Sequence, residues 1–153
     1  MKKTVWLFVI ALVFISFVSL KAQDKKFGLG VTLGAPTGFS GKYWVSDENA
    51  VDFGLAYSFV ETSNALSIHA DYLYHESRWF PRFDRLDFYY GFGARIRSNK
   101  DQTSLGIRGV AGLALMLKDT PVDIFVEIAP VFKLIPSTAL NLEAAIGARY
   151  YFD

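Results

Sequence analysis

Ser67, His69, Asp71 and His75 are the residue types that nucleophilic catalysis uses: a hydroxyl, a carboxylate and two imidazoles. Their even spacing puts all four on one side of an extended chain. Successive members then stand roughly 6.6 Å apart along the strand, too far for a direct hydrogen bond between nucleophile and base. A triad therefore needs a partner from a neighbouring strand, such as Ser58 or Asp87. No cluster of His, Asp and Glu has persuasive metal-ligand spacing. The chain has no cysteine, which removes thiolate catalysis, thiolate ligands and disulfides. No cofactor and no metal are expected.

Two other sets of residues are chemically suggestive. Asp71, Asp87, Asp123, Glu127 and Glu143 meet Arg95, Arg97, Arg108, Lys133 and Arg149, five charges of each sign. Equal numbers suit mutual neutralisation, because a lone buried charge costs several kcal/mol. The segment Arg78-Trp79-Phe80-Pro81-Arg82-Phe83-Asp84-Arg85 mixes three arginines with three aromatic rings. That mixture suits a membrane interface, where guanidinium meets lipid phosphate and rings sit at headgroup depth. Arg78, Trp79, Arg82 and Arg85 are the expected interfacial lipid contacts; the rival is a girdle-forming turn with no specific ligand.

The elements that carry these residues alternate apolar with polar or small residues, one for one, from Phe27 to Phe152. In the last stretch Leu142, Ala144, Ile146, Ala148, Tyr150 and Phe152 share one face, and Asn141, Glu143, Ala145, Gly147, Arg149 and Tyr151 the other. A period of two is a β-strand. Eight strands are predicted, over 26–34, 37–45, 50–60, 64–75, 86–97, 104–117, 122–134 and 139–152. Turn formers separate them, including Ala35-Pro36, Ser46–Asn49, Glu61–Ser63, Ser98–Asp101, Lys118–Pro121 and Ile135–Thr138. Pro130 interrupts strand seven and predicts a bulge there.

A soluble barrel would show the same alternation with its apolar side inward. Three features put the apolar side outward. An eight-stranded barrel is only just wide enough to be filled by side chains, and the apolar rows are too bulky for that space. Ten of the twelve glycines (Gly28, Gly30, Gly34, Gly38, Gly54, Gly91, Gly93, Gly106, Gly112 and Gly147) lie on the charged side. Glycine weakens a strand unless something approaches closely, and a crowded lumen is such a place. The predicted strands also reach the roughly 9–11 residues of a tilted membrane span. Tyr43, Trp44, Tyr57, Phe59, Tyr72, Tyr74, Tyr150 and Phe152 gather toward strand ends, where interfacial girdles belong. A lumen charge network of Asp71, Asp87, Arg95, Arg108, Glu127, Glu143 and Arg149 is expected to plug the interior.

The N-terminus explains how such a chain reaches a membrane. Lys2 and Lys3 precede an apolar run to Leu20, and Ala22 offers a small residue for cleavage before Gln23. Residues 1–22 are expected to be a cleaved secretory signal and 23–153 one barrel domain. The rival is an uncleaved anchor, since about 17 apolar residues is near the minimum span. Without Lys2, Lys3 and Lys21 the chain has 13 basic and 15 acidic residues, so no nucleic-acid partner is expected.

Strand count, signal and the terminal Ala144-Ala-Ile146-Gly-Ala148-Arg-Tyr150-Tyr-Phe152 together resemble the small eight-stranded outer-membrane barrels of Gram-negative bacteria, the OmpX-like and OmpA-transmembrane-like group. The resemblance covers essentially all of 26–152. It implies an all-β, eight-stranded antiparallel up-and-down transmembrane β-barrel in the bacterial outer membrane. It also implies a C-terminal assembly signal at Tyr150 and Phe152, although Asp153 follows where the family ends on the aromatic residue. Partners implied are outer-membrane lipids, and the barrel-assembly machinery and periplasmic chaperones during biogenesis; a monomer is expected. In this group the N-terminus is periplasmic, which places the long connection 76–85 on the periplasmic side and leaves short outer loops, against an adhesin role. Relatives that remodel lipid A use serine and histidine reachable from the bilayer, whereas Ser67 and His69 should face the lumen. The expected role is structural or interaction-based. A lipid-modifying enzyme and a soluble periplasmic barrel holding an apolar ligand are the alternatives.

Overall fold

The computed structural model describes residues 26–58 and 64–152; of Ser58 only the backbone is described. The expected signal, Phe59 and the turn at Glu61–Ser63 lie outside the described residues. Eight strands follow in order: β1 (Phe27–Ala35), β2 (Gly38–Trp44), β3 (Asn49–Ser58), β4 (Ala65–Glu76), β5 (Leu86–Asn99), β6 (Thr103–Met116), β7 (Val122–Ile135) and β8 (Ala139–Phe152). Each pairs antiparallel with its sequence neighbour, and β8 returns to β1 from Phe27↔Phe152 to Ala35↔Ala144, closing the barrel. Closure satisfies the backbone groups that an edge strand would leave unpaired, a requirement in lipid.

One rim carries the start of β1, the end of β8 and the connections β2–β3, β4–β5 and β6–β7; it is called here the terminal rim. The β4–β5 connection there includes a 3-10 turn, Ser77–Trp79. The opposite rim carries tight turns at 36–37, 100–102 and 136–138.

Parity sorts the side chains as the alternation requires. Along β4, Ala65, Ser67, His69, Asp71, Leu73 and His75 are buried, while Leu66, Ile68 and Tyr74 are exposed. Among the described residues at least 33 large apolar side chains are exposed, including Leu140, Leu142 and Phe39. Soluble monomers rarely leave contiguous apolar patches beyond a few hundred Å², so this exterior suits lipid, and a soluble barrel with an apolar interior is excluded by the charged one.

Two expectations change. Pro130 causes no bulge: the β6–β7 register runs unchanged past it, from Arg108↔Val131 to Ala111↔Ile128. The pairing simply lapses between Gly109–Val110 and Ala129–Pro130, while Pro130 stays paired to Leu142 of β8. The proline ring lies beside the outward-facing Gly109 at ordinary contact distance, its Cγ 3.5 Å from where a Cβ would be. The register shift occurs instead at Leu105/Gly106, opposite Lys133–Ile135. Trp44 also leaves the expected girdle. It shares the inward parity of Ser40 and Lys42 and packs against the buried lumen cluster.

The lumen charge network as candidate functional site

Inward glycines set the space in which the site is built. Tyr89 lies over Gly112, Phe125 over Gly147, Tyr151 over Gly28 and His69 over Gly54. Each pair is directly opposite across two strands. A ring can lie flat against the neighbouring strand only where no Cβ intervenes. Register was needed to see this, because parity alone places the glycine and the ring on the same face but not side by side.

Two buried arginines organise the charges. Arg108 of β6 is 1% exposed and gathers carboxylates from three strands. Its guanidinium lies 2.9 Å from Asp71 of β4, and its terminal nitrogens donate to Glu127 of β7 at 2.7 Å and Glu143 of β8 at 2.8 Å. Arg95 of β5 donates to the other oxygen of Glu143. Arg149 of β8, also 1% exposed, pairs with Asp52 of β3 at 3.1 Å and Asp123 of β7 at 3.6 Å. Its Nε donates to Ser40 Oγ of β2 at 3.0 Å, and its guanidinium carbon sits 3.7 Å from the centre of the Phe125 ring. Tyr151 donates to Asp123 at 2.7 Å. The hydroxyl of Tyr89 donates to Glu127 at 2.9 Å and joins the Arg108 cluster to an aromatic layer nearer the terminal rim.

That layer holds Lys42, fully buried, with Nζ 4.7 Å from the Trp44 ring centre and 5.1 Å from that of Tyr89. Two ring faces attract the ammonium where no carboxylate is in ion-pair reach. His75 stacks on Tyr89, ring centres 5.3 Å apart, and meets Trp44 at 4.4 Å with the planes tilted by 46°.

Five of the seven expected network residues therefore meet, Asp71, Arg95, Arg108, Glu127 and Glu143, while Arg149 holds a second cluster with Asp52 and Asp123. Asp87 stands apart near the terminal rim, partly exposed and 3.9 Å from His75. Asp123, one of the five acidic residues set against five basic ones, pairs with Arg149, and Asp52, Ser40, Tyr89, Tyr151 and Lys42 join unexpectedly. Asp52, Asp123 and Lys42 had the right parity, but which strands face one another across the lumen is not written in any one strand.

The row Ser67, His69, Asp71 and His75 faces inward as expected, and all four are buried. It does not assemble a nucleophile and base. Among the described residues Ser67 Oγ has no hydrogen-bond partner, His69 is 3.9 Å from Asp71, and Asp71 is engaged by Arg108. Asp87 reaches His75 rather than His69. At the terminal rim Arg78, Trp79, Arg82 and Arg85 are all exposed, and Tyr150 and Phe152 stack edge-on, ring centres 5.1 Å apart, on the outward face of β8.

No protein-family model matches the chain, and a sequence comparison with curated proteins returns no match. Solved structures do resemble it. The N-terminal β-barrel domain of Pseudomonas aeruginosa OprF aligns with a TM-score of 0.59 at 17% identity, covering 84% of this chain and 98% of that domain. Neisserial surface protein A aligns with a TM-score of 0.56 at 18% identity over the same shares. Both are small eight-stranded outer-membrane barrels. The closed eight-strand ring, the apolar exterior and these likenesses give the chain the fold of the small outer-membrane β-barrels.

Proposed function

We propose that this chain is an integral protein of the bacterial outer membrane whose lumen is plugged and whose role in the envelope is structural or interaction-based, not catalytic. The observation that carries the proposal is the pair of buried arginines. Arg108 and Arg149 lie on nearby strands of the barrel yet draw carboxylates from β3, β4, β7 and β8, so their ion pairs cross the interior. A continuous aqueous path would have to break bonds whose loss leaves charges buried and unpaired.

Several parts of the reading go with it. The chain is exported behind a cleaved signal and escorted by periplasmic chaperones. The assembly machinery then reads Tyr150 and Phe152, which end the strand that closes on β1. The barrel works as a monomer, because closure leaves no strand edge for another copy to extend. Planar-bilayer recording tests the plug. The purified protein is expected to give no stable open conductance, and a reproducible open channel would overturn the proposal.

A further inference from the structure

The connection 77–85 is tied to the start of β5 and the end of β6. It is held by hydrogen bonds from Phe83 N to Phe80 O at 2.9 Å, Leu86 N to Phe83 O at 3.0 Å, and Met116 N on β6 to Arg85 O at 3.0 Å. The Trp79 ring lies on Phe88, centres 4.7 Å apart and planes 11° from parallel. Phe88 has the lipid-facing parity of β5, and a chain of ring contacts, tilted, stacked and then edge-on, continues through Tyr90 and Tyr74 to Tyr72. Trp79 thus extends an aromatic band on the barrel's outer face beyond the strand end. Aromatic bands of this kind sit at headgroup depth.

Arg78, Arg82 and Arg85 lie on the same connection as that tryptophan, and all three are exposed. Arg78 has only a 3.9 Å approach to Glu48, with both side chains highly exposed, and such a pair is worth little. Among the described residues the side chains of Arg82 and Arg85 have no hydrogen-bond or ion-pair partner. Counting Glu76 at the end of β4 with Asp84, the segment 76–85 keeps one positive charge in excess. Guanidinium groups match the oxygens of a phosphodiester and bind it by two parallel hydrogen bonds.

We propose that this connection is a binding site for the headgroup of an anionic phospholipid in the adjoining leaflet, with the Trp79–Phe88 stack against the upper acyl chain and Arg78, Arg82 and Arg85 on the phosphate. The site rests on the membrane-barrel reading, since its floor is the lipid-facing surface of β5. A basic residue at an anionic surface contributes about 1 kcal/mol, or about fivefold in affinity. The three arginines together set the preference for an anionic over a zwitterionic lipid.

Native mass spectrometry of the purified barrel with equal phosphatidylglycerol and phosphatidylcholine of matched chains tests this. Retention of phosphatidylglycerol is expected to exceed that of phosphatidylcholine at least tenfold, and R78Q/R82Q/R85Q to abolish the excess. W79A is expected to reduce retention of both lipids, because it removes the apolar floor and no charge. No preference in the unaltered protein, an undiminished preference in the triple variant, or displacement of phosphatidylglycerol by equimolar lipid A would overturn the proposal. Heat-modifiable gel migration of the same samples separates the two claims. A folded barrel without lipid preference sinks only the site, and a chain with no heat-modifiable form sinks the barrel beneath it.

Discussion

Replacing Arg108 by Met removes the charge that three carboxylates share while keeping an unbranched side chain of similar reach. The consequence differs for each partner. Glu143 keeps Arg95, and Glu127 keeps the Tyr89 hydroxyl at 2.9 Å. Among the described residues Asp71 keeps only His69, at 3.9 Å. The variant thus strands chiefly one buried carboxylate, and breaking one buried pair costs about 3–5 kcal/mol. Three independent losses would cost far more and leave no folded barrel. Arg108→Met is therefore expected to fold, with an unfolding free energy lower by about 3–5 kcal/mol. Equilibrium urea unfolding in detergent micelles, followed by tryptophan fluorescence and heat-modifiable migration, measures it. Adding Asp71→Asn removes the stranded charge and is expected to recover about 0.5–3 kcal/mol, the usual coupling of contacting residues. A loss below about 1 kcal/mol for Arg108→Met, or no recovery in the double variant, would refute the reasoning.

Other outcomes follow from the same geometry. Gly112→Val drives a branched side chain into the Tyr89 ring and disrupts the bond to Glu127, so a loss of about 1–3 kcal/mol is expected in the same urea assay. Gly109→Ala meets only Pro130, at ordinary contact distance on the outer face, and is expected to stabilise by about 0.5–1 kcal/mol. Phe152→Ala is expected to lower the amount of assembled barrel in outer membranes while the purified chain still refolds in detergent; normal assembly in cells would remove the assembly role. Lipid A from cells with and without the protein is expected to give the same mass spectrum, and a new species would revive Ser67 and His69 as catalytic residues.

Alternation made the strands legible because every strand has one apolar and one polar face; β8 begins and ends where the pattern does, and the other strands shift by at most two residues at any described end. Bulk and glycine placement then told inside from outside. What parity could not carry was register. It hid the ring-on-glycine pairs, the reach of Arg149 to Asp52 across the barrel, and the separation of Asp87 from the arginines. Trp44 misled because an aromatic residue near a strand end suits both a girdle and a lumen cap. Only the parity it shares with Lys42 distinguishes them. Pro130 misled because a lapse in the β6–β7 pairing, without any shift of register, accommodates it.

The whole account depends on the apolar rows facing lipid and the charged rows facing a closed interior. Fractionating cells that express the protein, with gel migration of the membrane fraction before and after boiling, tests that most directly. The account predicts recovery in the outer membrane and a fast-migrating folded form that slows on boiling. Recovery as a soluble periplasmic protein whose migration does not change on boiling would contradict it.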